Sequence, residues 1–477
     1  MVTPVTPARP LEPDDEQWRA LAATTVDHLA GVLRDLPAAP AAVLDATAEV
    51  LADPTLRRMP PEHGRALPEL LDTLHRAAQP GLNPSSPGYL AFIPGSGLVS
   101  AGLAGLVADV LNRYTGLAAP APGLVALEAD LLRWLADLFG LPATAGGLFT
   151  SGGSLAAFSA LVAAREDRVP DEFRRGTVYV TDQVHASVAK AARLAGFPRE
   201  AVRVVGCDTG HRMDVDDLVR LVRTDRDAGR VPFCVVATAG TTNLGVIDPL
   251  PAIAEVCRRD DLWLHVDGAY GAAFQLTDRG RERLRGIEHA DSLVLDPHKG
   301  FFLPFGTGCL LVRDTGPLQA SHAADDAHYL QDLAGQALPD FADLGPELTR
   351  EYRGIRLWLP LHLHGVAAFR AALDEKLDLA AWAHDELARE PSLTVLGPPE
   401  LTIIGFHGRD DAATAELLHR VNAERRVFLS STRVDGRFVG RIAILNHRTD
   451  KDRVAEAVDA IRRHAAPATN GAFVQPG

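Results

Sequence analysis

The sequence predicts an α/β protein whose core is a mostly parallel sheet covered by helices on both faces. Between residues 98 and 313, helix-like segments alternate with short apolar runs rich in β-branched residues, such as TVYVT, VRVVG, CVVAT, WLHVD and SLVLD. This alternation is typical of buried strands connected by helices. Several polar residues follow the apolar runs directly, at the strand ends where such sheets bind ligands.

Three segments are expected along the 477 residues. Residues 1–80 repeat Leu and Ala at helical spacing between Pro-containing breaks and predict an N-terminal helical segment. Residues 81–350 predict the large sheet domain. It begins with a Gly-, Pro- and Ser-rich stretch at 81–97, too irregular for helix or strand, and ends in a polar stretch at about 320–350, which we expect to be a mobile loop. Residues 351–477 alternate helix and strand patterns and predict a smaller C-terminal α/β domain.

Composition excludes several classes of function. The formal net charge is -14, so the chain has no basic surplus to neutralise nucleic-acid phosphates. Apolar runs are too short to span a membrane, and the Pro-rich, acidic start lacks the features of a secretory signal. The four cysteines are scattered, which predicts free thiols in a reducing, cytoplasmic compartment. His362 and His364 lie in a Leu-rich run without nearby carboxylates, so we expect no metal site.

Lysine is rare in this sequence, and one lysine has an unusual context. Lys190, Lys376 and Lys451 stand beside other charged residues and predict solvated surface charges. Lys299 lies in DPHKGFFLPFGTG, between a predicted buried strand and a Gly- and Phe-rich turn. Burial of a charge is costly unless the charge is used or paired. A desolvated lysine can form a Schiff base, whereas arginine stays protonated.

Asp267 supports a pyridoxal-phosphate function for Lys299. It closes the strand WLHVD and is followed by the small residues of GAYGAAF, which would let a planar ring approach the backbone. Pyridoxal phosphate requires a carboxylate at its pyridine nitrogen, because the protonated ring then accepts electrons. The alternative is that Asp267 only caps the segment that follows.

Two further features fit the same cofactor. TSGGSLAAFSALVAAR places Gly152, Gly153 and Ser154 at a helix start, where backbone N–H groups and a hydroxyl can bind phosphate. His185, in TDQVHASVAK, falls where a strand turns into a helix and could stack on a flat ring. Each feature also occurs at ordinary helix starts. Rival signatures are missing, since the sequence has no complete dinucleotide fingerprint, no GxxxxGK[ST], no HExxH and no GxSxG.

Seven segments together resemble the group II pyridoxal-phosphate-dependent decarboxylases, the family of aromatic-L-amino-acid, histidine and glutamate decarboxylases. In the family's order they are NPSSPGYLAF, TSGGSLAAFSALVAAR, TDQVHASVAKA, ATAGTTNLGVIDPL, LWLHVDGAYGAAF, ADSLVLDPHKG and RFVGRIAIL. The resemblance covers nearly the whole chain. It implies pyridoxal-phosphate fold type I and a homodimer with active sites at the subunit interface, clasped by the N-terminal helical segment.

The resemblance also implies roles for individual residues. Lys299 would be the Schiff-base lysine, with His298 beside it in the motif. Asp267 would pair with the pyridine nitrogen, Ala269 would pack near the ring, and His185 would stack on its face. The remaining cofactor residues would hold the phosphate or lie near the ring and substrate: Gly152, Gly153, Ser154 and Asp296 for the phosphate, and Thr238 for the ring.

The sequence departs from the family pattern at several positions. Leu155 follows the phosphate-binding serine, where the family often has a polar residue. Gly95, Ser96 and Gly97 stand where aromatic-amino-acid decarboxylases crowd the substrate with aromatics, which weakens the case for an indole or phenol substrate. The family presents a tyrosine from a mobile loop, about twelve residues before the arginine matched by Arg353. We align Phe341 with that tyrosine, and no tyrosine lies between Tyr329 and Tyr352.

These features predict removal of the α-carboxylate of an L-amino acid. The alternative is decarboxylation coupled to oxidation by O2, which would give an aldehyde. Phe341 motivates this alternative, because a phenylalanine has no proton to give to Cα after CO2 leaves. A third hypothesis, a non-catalytic scaffold with this fold, conflicts with the intact Lys299, Asp267 and His185.

Overall fold

The computed structural model describes residues 11–56, 59–323 and 338–465. The helices in these ranges are α1 (Asp15–Asp35), α2 (Thr47–Ala52), α3 (Leu67–Ala78), α4 (Val99–Leu111), α5 (Pro122–Leu138), α6 (Gly153–Arg168), α7 (Ala186–Leu194), α8 (Val215–Asp227), α9 (Leu250–Asp260), α10 (Asp278–Arg283), α11 (Pro297–Gly300), α12 (Gly316–His322), α13 (Ile355–His364), α14 (Val366–Leu387), α15 (Asp411–Ala423) and α16 (Lys451–Ala465). The strands are β1 (Ala42–Val43), β2 (Gly81–Leu82), β3 (Tyr89–Leu90), β4 (Gly146–Thr150), β5 (Gly176–Thr181), β6 (Val202–Val205), β7 (Val231–Thr238), β8 (Trp263–Asp267), β9 (Ser292–Leu295), β10 (Gly308–Val312), β11 (Thr394–Val395), β12 (Ile403–His407), β13 (Phe428–Val434) and β14 (Arg437–Ala443).

The larger sheet has seven strands in the order β4-β10-β9-β8-β7-β5-β6. Five neighbouring strands, β9, β8, β7, β5 and β6, are parallel to one another. Strand β10 runs antiparallel to both of its neighbours, β9 and β4. In β5, Val178 and Val180 pack in one apolar cluster and Tyr179 in another, so both faces of the sheet are covered. The predicted α/β class, with its mostly parallel sheet, is confirmed.

The parallel strands end at a common edge. Thr238, at the end of β7, pairs with Asp267, at the end of β8, and Asp267 in turn pairs with Val294 of β9. Asp296 follows two residues after Val294. The strand register thus brings the three polar residues that the sequence places after apolar runs to one edge of the sheet.

The smaller sheet has the order β11-β12-β14-β13-β3. It takes β3 from the stretch at 81–97, in which the sequence predicts no regular structure, and β2 of the same stretch pairs with β1. Gly88 explains part of this difference, since a Cβ there would lie 2.1 Å from the Arg426 carbonyl oxygen. The stretch at 81–97 thus adds a short strand to the smaller sheet, because Gly88 lets its backbone lie close to that of Arg426.

Parts of the polar stretch at about 320–350 lie within the described residues. Gly316–His322 forms α12, and Phe341–Asp343 forms one turn of 3-10 helix. The Ala342 amide donates to the Gly116 carbonyl at 2.8 Å, which ties this part of the chain to the large domain. Residues 324–337 of the expected loop, including Tyr329, lie outside the described residues.

The helices before residue 80 pack lightly, since α1, α2 and α3 bury no residue completely. Among the described residues, every helix is too short or too polar to cross a bilayer. Helix α4 leaves an apolar surface exposed: Val99, Leu103, Leu106, Val107, Val110 and Leu111.

Candidate active site

A cavity of about 360 Å³ opens at the carboxyl edge of the larger sheet. The residues expected to bind the cofactor all line it: Gly152, Gly153, Ser154, His185, Thr238, Asp267, Ala269, Asp296, His298 and Lys299. They come from five separate parts of the sequence, so the fold, and not their spacing along the chain, brings them together.

Lys299 lies in α11, the single helical turn after β9. Its Nζ is 2.8 Å from Asp296 Oδ2, and its backbone N–H donates to the Asp296 carbonyl. The turn packs closely against Ala273 because Gly300 has no side chain. A Cβ at Gly300 would lie only 2.3 Å from Ala273 Cβ. The amine therefore reaches the cavity with a carboxylate as its partner.

Asp267 is buried at the end of β8, and its Oδ1 accepts a hydrogen bond from the Ala269 N–H at 3.1 Å. This bond shows that Asp267 caps the turn that follows. Among the described residues, however, no lysine or arginine pairs with it. Burial lowers the pKa of the neighbouring His265 to about 4, so that histidine is neutral at physiological pH. Asp267 is thus a carboxylate whose charge is available to a ligand cation.

The start of α6 supplies an anion-binding edge. No side chain caps the helix, so its first backbone N–H groups are left for another acceptor. Gly153 permits close approach here, because a Cβ would lie 3.0 Å from Asp296 Oδ2. Asp296 itself carries a negative charge that is paired with Lys299, so its carboxylate is poorly suited to bind phosphate directly.

His185 is the N-cap of α7 and lies at the exposed side of the cavity. Its Nδ1 accepts the Ser187 backbone N–H at 3.2 Å and lies 2.8 Å from Ser187 Oγ. Since Nδ1 accepts this bond, Nε2 is the ring nitrogen that is left to donate a proton. His185 therefore combines the capping role with a position in the cavity.

Two polar atoms at the cavity lack partners among the described residues. Thr238 Oγ1 and Asp296 Oδ1 are both buried and make no hydrogen bond. Buried polar atoms in proteins are nearly always hydrogen-bonded. The cavity thus offers an amine, an unpaired carboxylate, a free helix N-terminus and two unsatisfied oxygens. This set fits a ligand that carries a carbonyl for the amine, a protonated ring nitrogen for the carboxylate and a phosphate for the helix N-terminus.

His298 lines the same cavity beside Lys299. Its Nδ1 donates to the Thr307 carbonyl at 2.7 Å, and its Nε2 lies 3.7 Å from Asp296 Oδ2. Burial lowers the pKa of His298, so the ring is neutral and oriented by its backbone partner.

Sequence analysis missed several residues of the cavity wall. Tyr270 is the most informative, because its hydroxyl lies 2.6 Å from Thr402 Oγ1 and thus joins the cavity to the smaller sheet. The sequence does indicate a cavity position for Tyr270, since it lies in GAYGAAF, only three residues after Asp267. The others are Ser187, Gly240 and Thr242.

The structure places Phe341 away from the cavity of its own chain. Its side chain is 1% exposed and packs in the core of the large domain, with the Arg350 guanidinium 4.8 Å from its ring centre. It does not line the cavity. Apolar burial and the cation–π contact hold the ring in place within this chain.

The expectation that Lys376 is a solvated surface charge is wrong. Its side chain is 0% exposed, and Nζ donates to the Thr449 carbonyl and to Glu375. Lys376 belongs to the buried face of α14, in the smaller domain, and does not line the cavity.

Comparisons with known proteins agree with this site. The family model described as "Pyridoxal-dependent decarboxylase conserved domain" matches residues 53–409. The chain belongs to this family of enzymes. It is a pyridoxal-phosphate-dependent decarboxylase of fold type I, as the sequence predicts.

Named relatives include both decarboxylases and aldehyde synthases. An aromatic-L-amino-acid decarboxylase of Bacillus atrophaeus is 33% identical over 416 residues, covering 84% of this chain and 86% of that protein. A phenylacetaldehyde synthase of Arabidopsis thaliana is 27% identical over 480 residues, covering 95% of this chain and 96% of that protein. Among solved structures, Oryza sativa TDC with PLP and tryptamine has a TM-score of 0.90 and 27% identity, covering 96% of this chain and 99% of that chain.

Proposed function

We propose that this enzyme removes the α-carboxylate of an aromatic L-amino acid and releases the amine. The observation that carries the proposal is the placement of Lys299 Nζ, the unpaired Asp267 carboxylate and the α6 N-terminus around one cavity. Pyridoxal phosphate bound there supplies an electron sink for the carbanion left by CO2.

The protein residues have distinct roles in this proposal. Lys299 would hold the cofactor through its carbonyl, and Asp296 holds the amine in position at 2.8 Å. Asp267 keeps the ring nitrogen protonated. The α6 N–H groups, with Gly152, Gly153 and Ser154, bind the phosphate.

An aromatic substrate is supported by the chemistry of the cavity wall. Among the described residues no arginine lines the cavity, so a substrate side-chain carboxylate would find no guanidinium partner in this part of the chain. Phe305 is 61% exposed, and its ring centre lies 5.8 Å from that of His298. This exposed ring beside a cavity residue favours an apolar, flat side chain. The named aromatic-L-amino-acid and tryptophan decarboxylases among the relatives support the same substrate class.

His185 is assigned as the group that returns a proton to Cα. Because its Nδ1 accepts the Ser187 N–H, a proton given up by the ring would leave from Nε2, and the ring lines the cavity. General acids need this combination of a proton and proximity. Phe341 has neither, because it lies in the core.

Oxidation to an aldehyde is the second candidate function. It is favoured by the aldehyde synthases of Arabidopsis thaliana and Rhodiola rosea among the relatives. Phe341, which motivates this candidate in the sequence, does not line the cavity of its own chain.

We also propose a cytoplasmic homodimer. The exposed apolar surface of α4 is unusual for a monomer and suits an interface. Association of two chains through α4 would cover this surface.

The test of the proposed function is a panel of L-amino acids with simultaneous measurement of CO2, amine, O2 uptake and aldehyde. Lys299→Ala serves as the inactive control. We expect aromatic amino acids to give CO2 and amine in equal amounts without O2 uptake. Aldehyde and O2 uptake in equal amounts would establish the second candidate instead, and turnover of acidic or basic amino acids alone would refute the aromatic substrate class.

A further inference from the structure

We propose that Arg441 and Asn243 are positioning residues, through which the smaller sheet holds the rim of the cofactor cavity and the segment that carries His185. The proposal rests on the function proposed above. The rim is the turn at 241–246, between β7 and α9, in which Thr242 lines the cavity.

Arg441, in β14, connects three segments of the chain. Its Nε donates to the Asn243 carbonyl at 2.7 Å, and Nη2 donates to the Thr242 carbonyl. Nη1 donates to Ser430 Oγ at 2.9 Å, and Nη2 also reaches the Phe92 carbonyl at 3.4 Å. One guanidinium thus holds the rim turn against the smaller sheet.

The charge of Arg441 makes these contacts strong. The side chain is 3% exposed, and no carboxylate among the described residues forms an ion pair with it. Burial lowers its pKa to about 10, so the group stays charged at neutral pH. A buried charge requires compensation, and here neutral oxygens provide it through charge-assisted hydrogen bonds. The contacts occupy four of the five N–H groups of the side chain, which leaves little capacity to bind a substrate carboxylate.

Asn243 extends the connection from the rim to the His185 segment. Its Oδ1 accepts from Thr432 Oγ1 at 2.8 Å, and its Nδ2 donates to Gln183 Oε1 at 3.2 Å. Gln183 is buried and lies two residues before His185. Both ends of the amide and its backbone carbonyl are therefore in use, which fixes the turn in one orientation.

The expected consequence concerns the geometry of the bound cofactor. When the guanidinium is removed, the carbonyls of Thr242 and Asn243 lose their donor, and the turn can shift. The Asn243–Gln183 bond then no longer fixes the segment that positions the His185 ring.

The experiment compares Arg441→Met with Arg437→Met. Arg437 begins the same strand and donates to the carbonyls of Gly408 and Arg409, away from the cavity, so it is a matched control. The measurements are the dissociation constant of pyridoxal phosphate from the apoenzyme, the visible circular dichroism of the holoenzyme, kcat, KM and the thermal midpoint. Arg441→Lys tests whether charge alone suffices.

We expect Arg441→Met to weaken pyridoxal-phosphate binding by about tenfold, or ~1.4 kcal/mol, and to change the visible circular dichroism. Arg441→Lys should recover only part of the effect, because one ammonium cannot span two carbonyls. Arg437→Met should leave the cofactor measurements unchanged. Asn243→Ala, which keeps the guanidinium, should change the circular dichroism in the same direction and keeps the proposal testable if Arg441→Met does not fold.

Two results would overturn the proposal. A rise in KM with unchanged cofactor binding and circular dichroism would show that Arg441 contacts the substrate directly. A lower thermal midpoint with unchanged cofactor measurements would show a purely structural role. A His185→Gln variant separates this proposal from the proton-donor role proposed for His185. An unchanged kcat in that variant would refute the proton-donor role. It would not affect the inference that Arg441 positions the cofactor site, which is tested by cofactor binding.

Discussion

At the scale of single residues, the cofactor site was predictable and two buried side chains were not. Lys299 and Asp267 stand out because each follows an apolar strand and precedes small residues. Phe341 was misplaced because polar residues surround it in the sequence, while the burial that encloses it comes from Arg350 and from distant core residues. Lys376 had a signal that was overlooked, since it continues the buried stripe of Phe369 and Leu373 on α14.

Asp267→Asn should leave pyridoxal phosphate bound and slow decarboxylation about 100-fold or more, because a neutral amide does not hold the ring nitrogen protonated. The measurement is kcat under saturating cofactor. Asp261→Asn is the control, since Asp261 is exposed and its left-handed backbone conformation suits asparagine. A kcat for Asp267→Asn within about threefold of the parent would mean that Asp267 only caps its turn.

Phe341→Tyr should lower the free energy of unfolding by about 1–3 kcal/mol, because the added hydroxyl enters a packed core beside Arg350. The ratio of amine to aldehyde should not change. Urea denaturation and product analysis of the same preparation test both statements. A shift in the product ratio would restore a role for Phe341 in the reaction.

At the scale of elements, alternation of helix and strand patterns predicts the parallel sheet, but it does not give strand direction. The antiparallel β10 and the transfer of β3 to the smaller sheet depend on long-range pairing, which local pattern does not encode. The end of β7 shows how such contacts position the site. Asp248 accepts the Thr238 and Met213 backbone N–H groups, each at 2.7 Å, and so fixes the strand end that lines the cavity.

Asp248 should give the protein a characteristic pH dependence. Burial raises its pKa to about 6, above the value near 3.9 of an unfolded aspartate. The folded state therefore binds the proton more tightly, and this residue's contribution to stability falls as pH rises from about 4 to 6, by about 2–3 kcal/mol. Urea denaturation at pH 4.5 and pH 7 should show this fall in the parent and not in Asp248→Asn. Equal pH dependence in the two proteins would contradict the assignment.

At the scale of the whole molecule, the family, the fold type and the cofactor agree with the sequence-based predictions. The domain boundaries, the residue roles and the dimer stay predictions. Quaternary structure is hard to predict from a sequence, because the apolar residues of α4 resemble those of a buried helix until the fold leaves them exposed.

Val107→Arg, on the exposed face of α4, should produce a monomer with little activity, because a charge placed in an apolar interface is costly. Light scattering at the assay concentration measures the mass. Thr224→Arg, on the exposed surface of α8, should remain dimeric and active. A fully active monomeric parent enzyme would refute the proposed dimer.

The central claim is that Lys299 binds pyridoxal phosphate covalently. Borohydride reduction of the holoenzyme, followed by proteolysis and mass spectrometry, tests it most directly. We predict a reduced pyridoxyl group on the peptide containing Lys299 and no modified peptide from Lys299→Ala. A pyridoxyl group on Lys190, Lys376 or Lys451, or a reduced adduct that persists in Lys299→Ala, would contradict the account.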